Sequence, residues 1–169
     1  VEIVKNAKPV GLALSRQNLP VIDRSKFKST ENVKKGAYVL AYGDENATEK
    51  CEVILIATGS EVHLALAARE QLLTLGIKAR VVSAPCLEWF LQQPISYQEQ
   101  VLPKKIRARV SIEAGIAQSW YQFIGDAGVP VSLEHFGASA SASVLFKEFG
   151  FTVDNVVSAA KESIRNANG

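Results

Sequence analysis

Residues 52–58, EVILIAT, constrain the fold more than any other stretch of the chain. The run is too short for a buried helix and has no alternation of apolar and polar positions. Such a segment reads as a strand covered on both faces, which is the situation inside a parallel sheet flanked by helices. Gly59 and Ser60 follow at once and open a helical pattern predicted to reach about Leu75, with Ser60 as its N-cap and Gly76 just past its end. Val62, Ala65, Leu66, Leu72 and Leu73 fall on one face of that helix, with His63, Glu70 and Thr74 opposite.

The same alternation continues downstream. KARVVSA (78–84), RARVSIEAG (107–115) and PVSLE (130–134) read as strands. Short helices are expected around CLEWFLQQ, SYQEQVL, QSWYQFIG and SASVLFKEF, and a final helix starts at Thr152. Its stripe is Val153, Val156, Val157, Ala160 and Ile164, with Asp154 at the amino-terminal dipole. AYVLAY (37–42) adds a strand, joined to EVILIAT by the polar, hairpin-like GDENATEK (43–50); any antiparallel member of the sheet is expected in that first pair. The expected architecture is a three-layer α/β/α fold on a mostly parallel, doubly wound sheet of about five strands.

Upstream, VGLALS (10–15) reads as a strand ended by polar turn formers, and 17–36 carries Pro20, Gly36 and several Lys and Ser without a period. We therefore expect a linker at 17–36, the end of a preceding domain at 1–16, and a separate domain over 37–169. The absence of methionine from all 169 residues leads to the expectation of a start inside a longer protein.

Composition excludes several classes. The net charge is +2, from 19 basic and 17 acidic residues, which gives no basic excess for nucleic acid. No apolar run approaches the length of a membrane span and no leader pattern is present. Cys51 and Cys86 lack CxxC spacing and read as free thiols of a reducing compartment, the cytoplasm.

Candidate chemistry is sparse. Gly59, Ser60 and Glu61, at a strand-to-helix junction, could receive an anion on free backbone N–H groups, although capping accounts for the first two and no nucleotide fingerprint is present. His63 has no ligand partner at helical spacing and reads as solvated. Glu113 stands at the carboxyl end of a strand, where α/β ligands collect, but a lone carboxylate suits a capping or interface hydrogen bond. His135, in HFGASAS, reads as a turn histidine beside the tight, small-residue loop at Gly137. Trp89, Phe90, Trp120, Tyr121 and Phe123 read as packing residues, and Cys86 lacks a base that would make it a nucleophile. No catalytic, cofactor-binding or metal-ligating set emerges. One residue stays unexplained: Arg16, set against the apolar run in LALSRQNLPV, where no local folding rule asks for a guanidinium.

Taken in order, LALSRQNLPV, KKGAYVL, ILIATGSEVHLA, ARVVSAP, SYQEQVLP, ARVSIEAGIAQSWY, FGASAS and FGFTVDNVV resemble the transketolases, thiamine-diphosphate enzymes that move two-carbon ketol units between sugar phosphates. The resemblance covers nearly the whole chain. It implies the last segment of a pyrimidine-binding domain, a linker and a carboxyl-terminal domain, and it implies that Arg16 of the SRQ run holds the phosphate of the sugar-phosphate substrate. A planar guanidinium suits bidentate phosphate binding. By the same resemblance, thiamine diphosphate and its divalent cation (Mg or Ca) belong to upstream domains, the enzyme is a homodimer, and this piece alone is inactive and carries no cofactor. YGDEN (42–46) is not the family's metal-diphosphate motif, since it lacks the second glycine. Ser141 stands where the family often has proline, and SAPCLEWF departs from the commoner run there. A related deoxyxylulose-phosphate synthase is disfavoured by SRQNLP. The alternative from another class is a non-catalytic regulatory or docking module, binding a small anion at Gly59–Glu61 or a partner subunit, as in the carboxyl-terminal domains of two-oxoacid dehydrogenases.

Overall fold

A computed structural model describes residues 9, 11–43 and 51–169. Among these, five strands form one sheet: β1 (Tyr38–Ala41), β2 (Val53–Ala57), β3 (Ala79–Ser83), β4 (Arg109–Ile112) and β5 (Val129–Val131), in the order β1-β3-β2-β4-β5. β2 lies at the centre, parallel to β3 on one side and to β4 on the other, with Leu55 opposite Val81 and Val110. That placement explains its composition, because all five residues are buried and each face needs its own apolar set.

The helices divide between the two faces. α1 (Glu61–Thr74) and α6 (Val153–Asn168) pack on one side, where Val53, Leu55 and Ala57 meet Ala65, Leu72, Val156 and Ala160. On the other side lie α2 (Leu87–Leu91), α3 (Ile95–Val101) and α4 (Tyr121–Ile124), which bring Phe90, Val101, Phe123 and Ile124 against Ile54 and Ile56. α5 (Ala142–Glu148) contributes no buried residue. The expected doubly wound α/β/α fold is therefore the observed one.

Several expectations are corrected. β1 is antiparallel, as anticipated, but its partner is β3 rather than β2, with Tyr38 opposite Ser83. β2 takes the central position because its two apolar faces need neighbours on both sides. Most of the connection, residues 44–50 of the predicted hairpin stretch, lies outside the described residues. The predicted strand at 10–15 does not join the sheet: from Gly11 to Ser15 the chain is irregular and exposed, with Leu12 at 67% and Leu14 at 80% exposure, while Val10 lies outside the described residues. A strand needs a partner edge. The outer edge of β1 is partly covered by the 21–28 segment, where Lys28 N–H donates to the Leu40 carbonyl at 3.3 Å and Ile22 and Phe27 rest on the core. The strand expected at 130–134 is shorter, Val129–Val131. Leu73, assigned to the buried face of α1, is 42% exposed, and Ala68 takes its place in the core. Within the linker, Thr30–Lys35 forms a 3₁₀ turn whose Ser29 hydroxyl accepts from Glu31 N–H.

Candidate functional site

The strand order places one position apart from the rest. From β2 the chain leaves towards β3, and from β4 it leaves towards β5 on the opposite side. The carboxyl ends of these adjacent strands therefore flank the topological switch point, where open α/β sheets keep their ligand crevice. The residues that line it come from Thr58–Glu61 and Glu113–Gly115.

Gly59 turns the chain with φ +54°, a conformation that other side chains rarely adopt. Ser60 sits at the position before α1 but is itself helical, and its hydroxyl does not cap a backbone N–H as expected; it donates to Glu61 Oε1 at 3.0 Å. Glu61 is the residue that fills the site. Its side chain is 5% exposed, and its carboxylate is met by its own N–H and by the Ala114 N–H across the crevice. Burial pushes the Glu61 carboxyl above the usual range, and the charge of Glu113 adds to that effect against the hydrogen bonds. The free N–H groups and the dipole of α1, offered to an external anion in the sequence reading, thus face the chain's own carboxylate. A phosphate placed there would meet two acidic side chains.

Glu113 holds the other wall. Its N–H donates to the Val131 carbonyl at 3.2 Å, and its Oε2 accepts from the indole Nε1–H of Trp120. Trp120 is 2% exposed and packs edge-on against Phe123, with ring centroids 6.2 Å apart. The lone carboxylate is thus an anchor for a core tryptophan. Next along the rim, Glu134 Oε1 accepts from Ala117 N–H at 2.9 Å, and this bond, followed by one from the Ser132 hydroxyl, lowers its pKa. His135 Nδ1–H donates to the Phe136 carbonyl at 2.7 Å and the ring packs on Phe149, so it is the turn histidine anticipated.

The remaining candidates lie elsewhere. His63 is half-buried rather than solvated, in an open groove of about 1130 Å³ between the 21–28 segment and α1, with Lys28, Tyr42, Leu66 and Arg69 also on its walls. Arg69 Nε–H there donates to the Tyr42 carbonyl at 2.8 Å. Burial raises both thiols: Cys51 donates to the Val53 carbonyl and Cys86 lies 3.5 Å from Glu88 Oε2. The carboxylate beside Cys86 raises its pKa rather than lowering it, so it does not favour the thiolate. Among the described residues no group of three or more His, Cys, Asp or Glu is placed to hold a metal ion, and no helix is long and apolar enough to cross a membrane. Arg16 is exposed, and no hydrogen bond or ion pair among the described residues engages it.

Sequence reasoning missed the burial of Glu61 and its approach to Glu113. The usable signal was a glutamate at the first helical position, where the dipole favours it. What it could not supply was the β2–β4 adjacency that brings the second carboxylate near.

Comparison with known proteins gives a consistent picture. The family model described as "Transketolase-like TK C-terminal domain" matches residues 36–152. The chain is 49% identical over 161 residues to a transketolase of Mycobacterium leprae, covering 95% of this chain and 23% of the relative. It is 51% identical over 154 residues to transketolase 1 of Escherichia coli, covering 91% of this chain and 22% of the relative. Among solved structures, transketolase of Pichia stipitis in complex with sedoheptulose 7-phosphate superposes with a TM-score of 0.77 at 35% identity, covering 91% of this chain and 21% of that one. The chain thus spans less than a quarter of the length of these relatives.

Proposed function

The chain belongs to the transketolase family through its carboxyl-terminal domain, and on that premise we propose that it acts as the carboxyl-terminal part of a longer enzyme that transfers two-carbon ketol units between sugar phosphates. The observation that carries this reading is the family match over 36–152, together with about 50% identity to transketolases along nearly the whole chain.

In this reading Arg16 is the substrate-contacting residue, gripping the phosphate of the sugar phosphate. Its support is physical. The guanidinium is permanently charged, exposed and not committed to any partner among the described residues, so the fold of this chain does not account for it. The exposed run Gly11–Ser15 beside it belongs, in the same reading, to the sheet of the preceding domain, which explains why its apolar side chains find no partner here.

Thiamine diphosphate, when bound, supplies a carbanion that carries the ketol unit. The described residues do not fit that group: they offer no metal shell, and the switch-point crevice presents Glu61 and Glu113 to what would be a diphosphate. The cofactor and its magnesium or calcium ion are assigned to the rest of the protein. This chain contributes a folded support and one phosphate contact. Homodimerisation and a cytoplasmic location follow from the same family reading.

A chimera provides the test. Replacing the matching carboxyl-terminal part of the Escherichia coli transketolase 1 with this chain should preserve ketol transfer, whereas this chain alone, given cofactor and magnesium, should show none. In the chimera, Arg16→Ala should lose about 1.5–3 kcal/mol of binding to phosphorylated sugars, about 10- to 100-fold in KM. A non-phosphorylated acceptor should be nearly unaffected. Equal losses for both acceptors would remove the phosphate role, and an inactive but folded chimera would remove the enzymatic reading.

A further inference from the structure

We propose that Glu61 and Glu113 form a pH-sensitive latch across the switch point of the sheet, with the buried Trp120 coupled to it through its hydrogen bond to Glu113.

Three features of the fold combine here. First, the crevice that α/β sheets leave open for ligands is closed by the chain's own side chains. Glu61 is 5% exposed and joins the β2–α1 turn to the β4 exit, through its own N–H, the Ser60 hydroxyl and the Ala114 N–H. Second, its neighbour across the crevice is another carboxylate. β2 and β4 are adjacent and in register, with Ala57 opposite Ile112, so Glu113 emerges beside Thr58. The charge of Glu113 disfavours ionisation of the buried Glu61 carboxyl. Third, Glu113 is tied to the core, since its Oε2 accepts from Trp120 Nε1–H. A charge appearing on Glu61 acts on an acceptor already bonded to a buried ring.

Among the described residues no positively charged side chain is hydrogen-bonded or ion-paired with either carboxylate. The ends of β2 and β3 bring Thr58 and Ser83, which carry no charge. Beyond β5, Glu134 is bonded to Ala117 N–H, and on α6 Asp154 accepts from Gln71 well along α1. His63, two residues into α1, lines the groove beside the 21–28 segment. The charge of Glu113 acts on Glu61 to raise its pKa. Burial and the second carboxylate both favour the protonated form, while the hydrogen bonds from Ser60 and from two backbone N–H groups favour the ionised one. Such a balance is sensitive to pH in a way that a fully exposed carboxylate is not.

On ionisation, the Glu61 charge repels Glu113. The Ala114 N–H tightens on Glu61 while the Glu113 carboxylate shifts against the indole. The 113–117 turn is the moving part, and it also carries the Gly115 carbonyl that accepts from Leu133 N–H at 2.9 Å and the Ala117 N–H bonded to Glu134. The latch therefore acts on the joint between β4 and β5. It goes beyond the enzymatic reading and does not depend on it.

The test uses the 169-residue chain labelled with ¹⁵N-tryptophan. The chain has two tryptophans, and Trp89→Phe assigns the Trp120 indole N–H signal. From pH 4 to 8, that signal should show a step with a midpoint above the ordinary glutamate value of 4.5, while the Trp89 signal of the unsubstituted chain stays flat. Glu61→Gln should abolish the step. Should that variant not fold, Glu113→Gln in the uniformly ¹⁵N-labelled chain decides the matter: the Ala114 amide should show a step and the Trp120 indole should lose its own. A Trp120 signal that stays flat in the unsubstituted chain, or a step that persists in Glu61→Gln, overturns the proposal.

Discussion

Gly36, at the entry to the domain, has φ +83°, and a Cβ built on it would lie 2.3 Å from both the Cys86 carbonyl oxygen and the Phe90 nitrogen. Two independent constraints thus act on one residue: a left-handed backbone and direct contact with the start of α2, to which its own carbonyl is bonded by Cys86 N–H at 2.9 Å. Gly36→Ala is expected to cost about 2 kcal/mol or more, read as a lower urea midpoint with an unchanged m-value. Ser163 makes a comparable case inside the core. Its fully buried hydroxyl accepts from Arg109 N–H at 2.8 Å and lies within bonding distance of the Arg109 and Ala127 carbonyls, at 3.1 and 2.7 Å. Ser163→Ala leaves those groups short of a partner and should cost about 1–3 kcal/mol, with faster amide exchange at Arg109 as the local sign. Neither residue was legible beforehand. Gly36 read as linker chemistry and Ser163 drew no reading at all, because what makes each necessary is a neighbour more than 30 residues away. Arg109 escaped for another reason: its partners are near in sequence, but the turn of the chain that aims the carbonyls of Leu102, Pro103, Ile106 and Phe123 at its guanidinium carries no sequence signal.

Elements were far more legible than contacts, since their signals are local. β2 is announced by an unbroken apolar run, and α6 by a stripe together with Thr152, whose side chain accepts from Asn155 N–H as an N-cap should. The two helix starts nevertheless look alike in sequence and differ in structure. Thr152 is extended and caps, while Ser60 is helical and spends its hydroxyl on Glu61. The residue type predicts the ability to cap; the backbone at that position decides whether it does. Thr152→Ala should therefore cost about 1 kcal/mol of stability by urea unfolding, the ordinary value of a lost cap. Ser60→Ala should cost less in unfolding but move the Glu61 titration upward, because a hydrogen bond that favours the ionised form is gone. The irregular course of 11–15 shows the limit of a local signal: an apolar run with strand character forms a strand only where a sheet edge pairs with it, and it joins no edge of this sheet.

At the scale of the whole molecule the strand order is the step that sequence could not provide, and it is also what gives the acidic pair its effect. An order of β1-β3-β2-β4-β5 makes β2 and β4 neighbours and sets Glu61 beside Glu113. The consequence for stability can be worked out by sign. Glu61 has a folded pKa raised above its unfolded value of about 4.5, chiefly by burial. The folded state then binds its proton more tightly than the unfolded state does, so this contribution is fully present below about pH 4.5 and is lost as pH rises through the folded value. Asp126 acts in the opposite sense. Arg107 Nη2–H donates to its Oδ2 at 2.7 Å and lowers its pKa, so that contribution is present above the unfolded value near 3.8 and is lost as pH falls through the folded one. The Asp126 pair is open to solvent and weakened by salt, whereas Glu61 is not. Urea midpoints measured at 0.5 M salt should therefore still fall as pH rises from about 4.5 towards neutrality, and Glu61→Gln should flatten that slope while Asp126→Asn leaves it unchanged. A slope of the same steepness in Glu61→Gln would mean that some other group binds the proton, and the closed crevice would then be packing without a titration behind it.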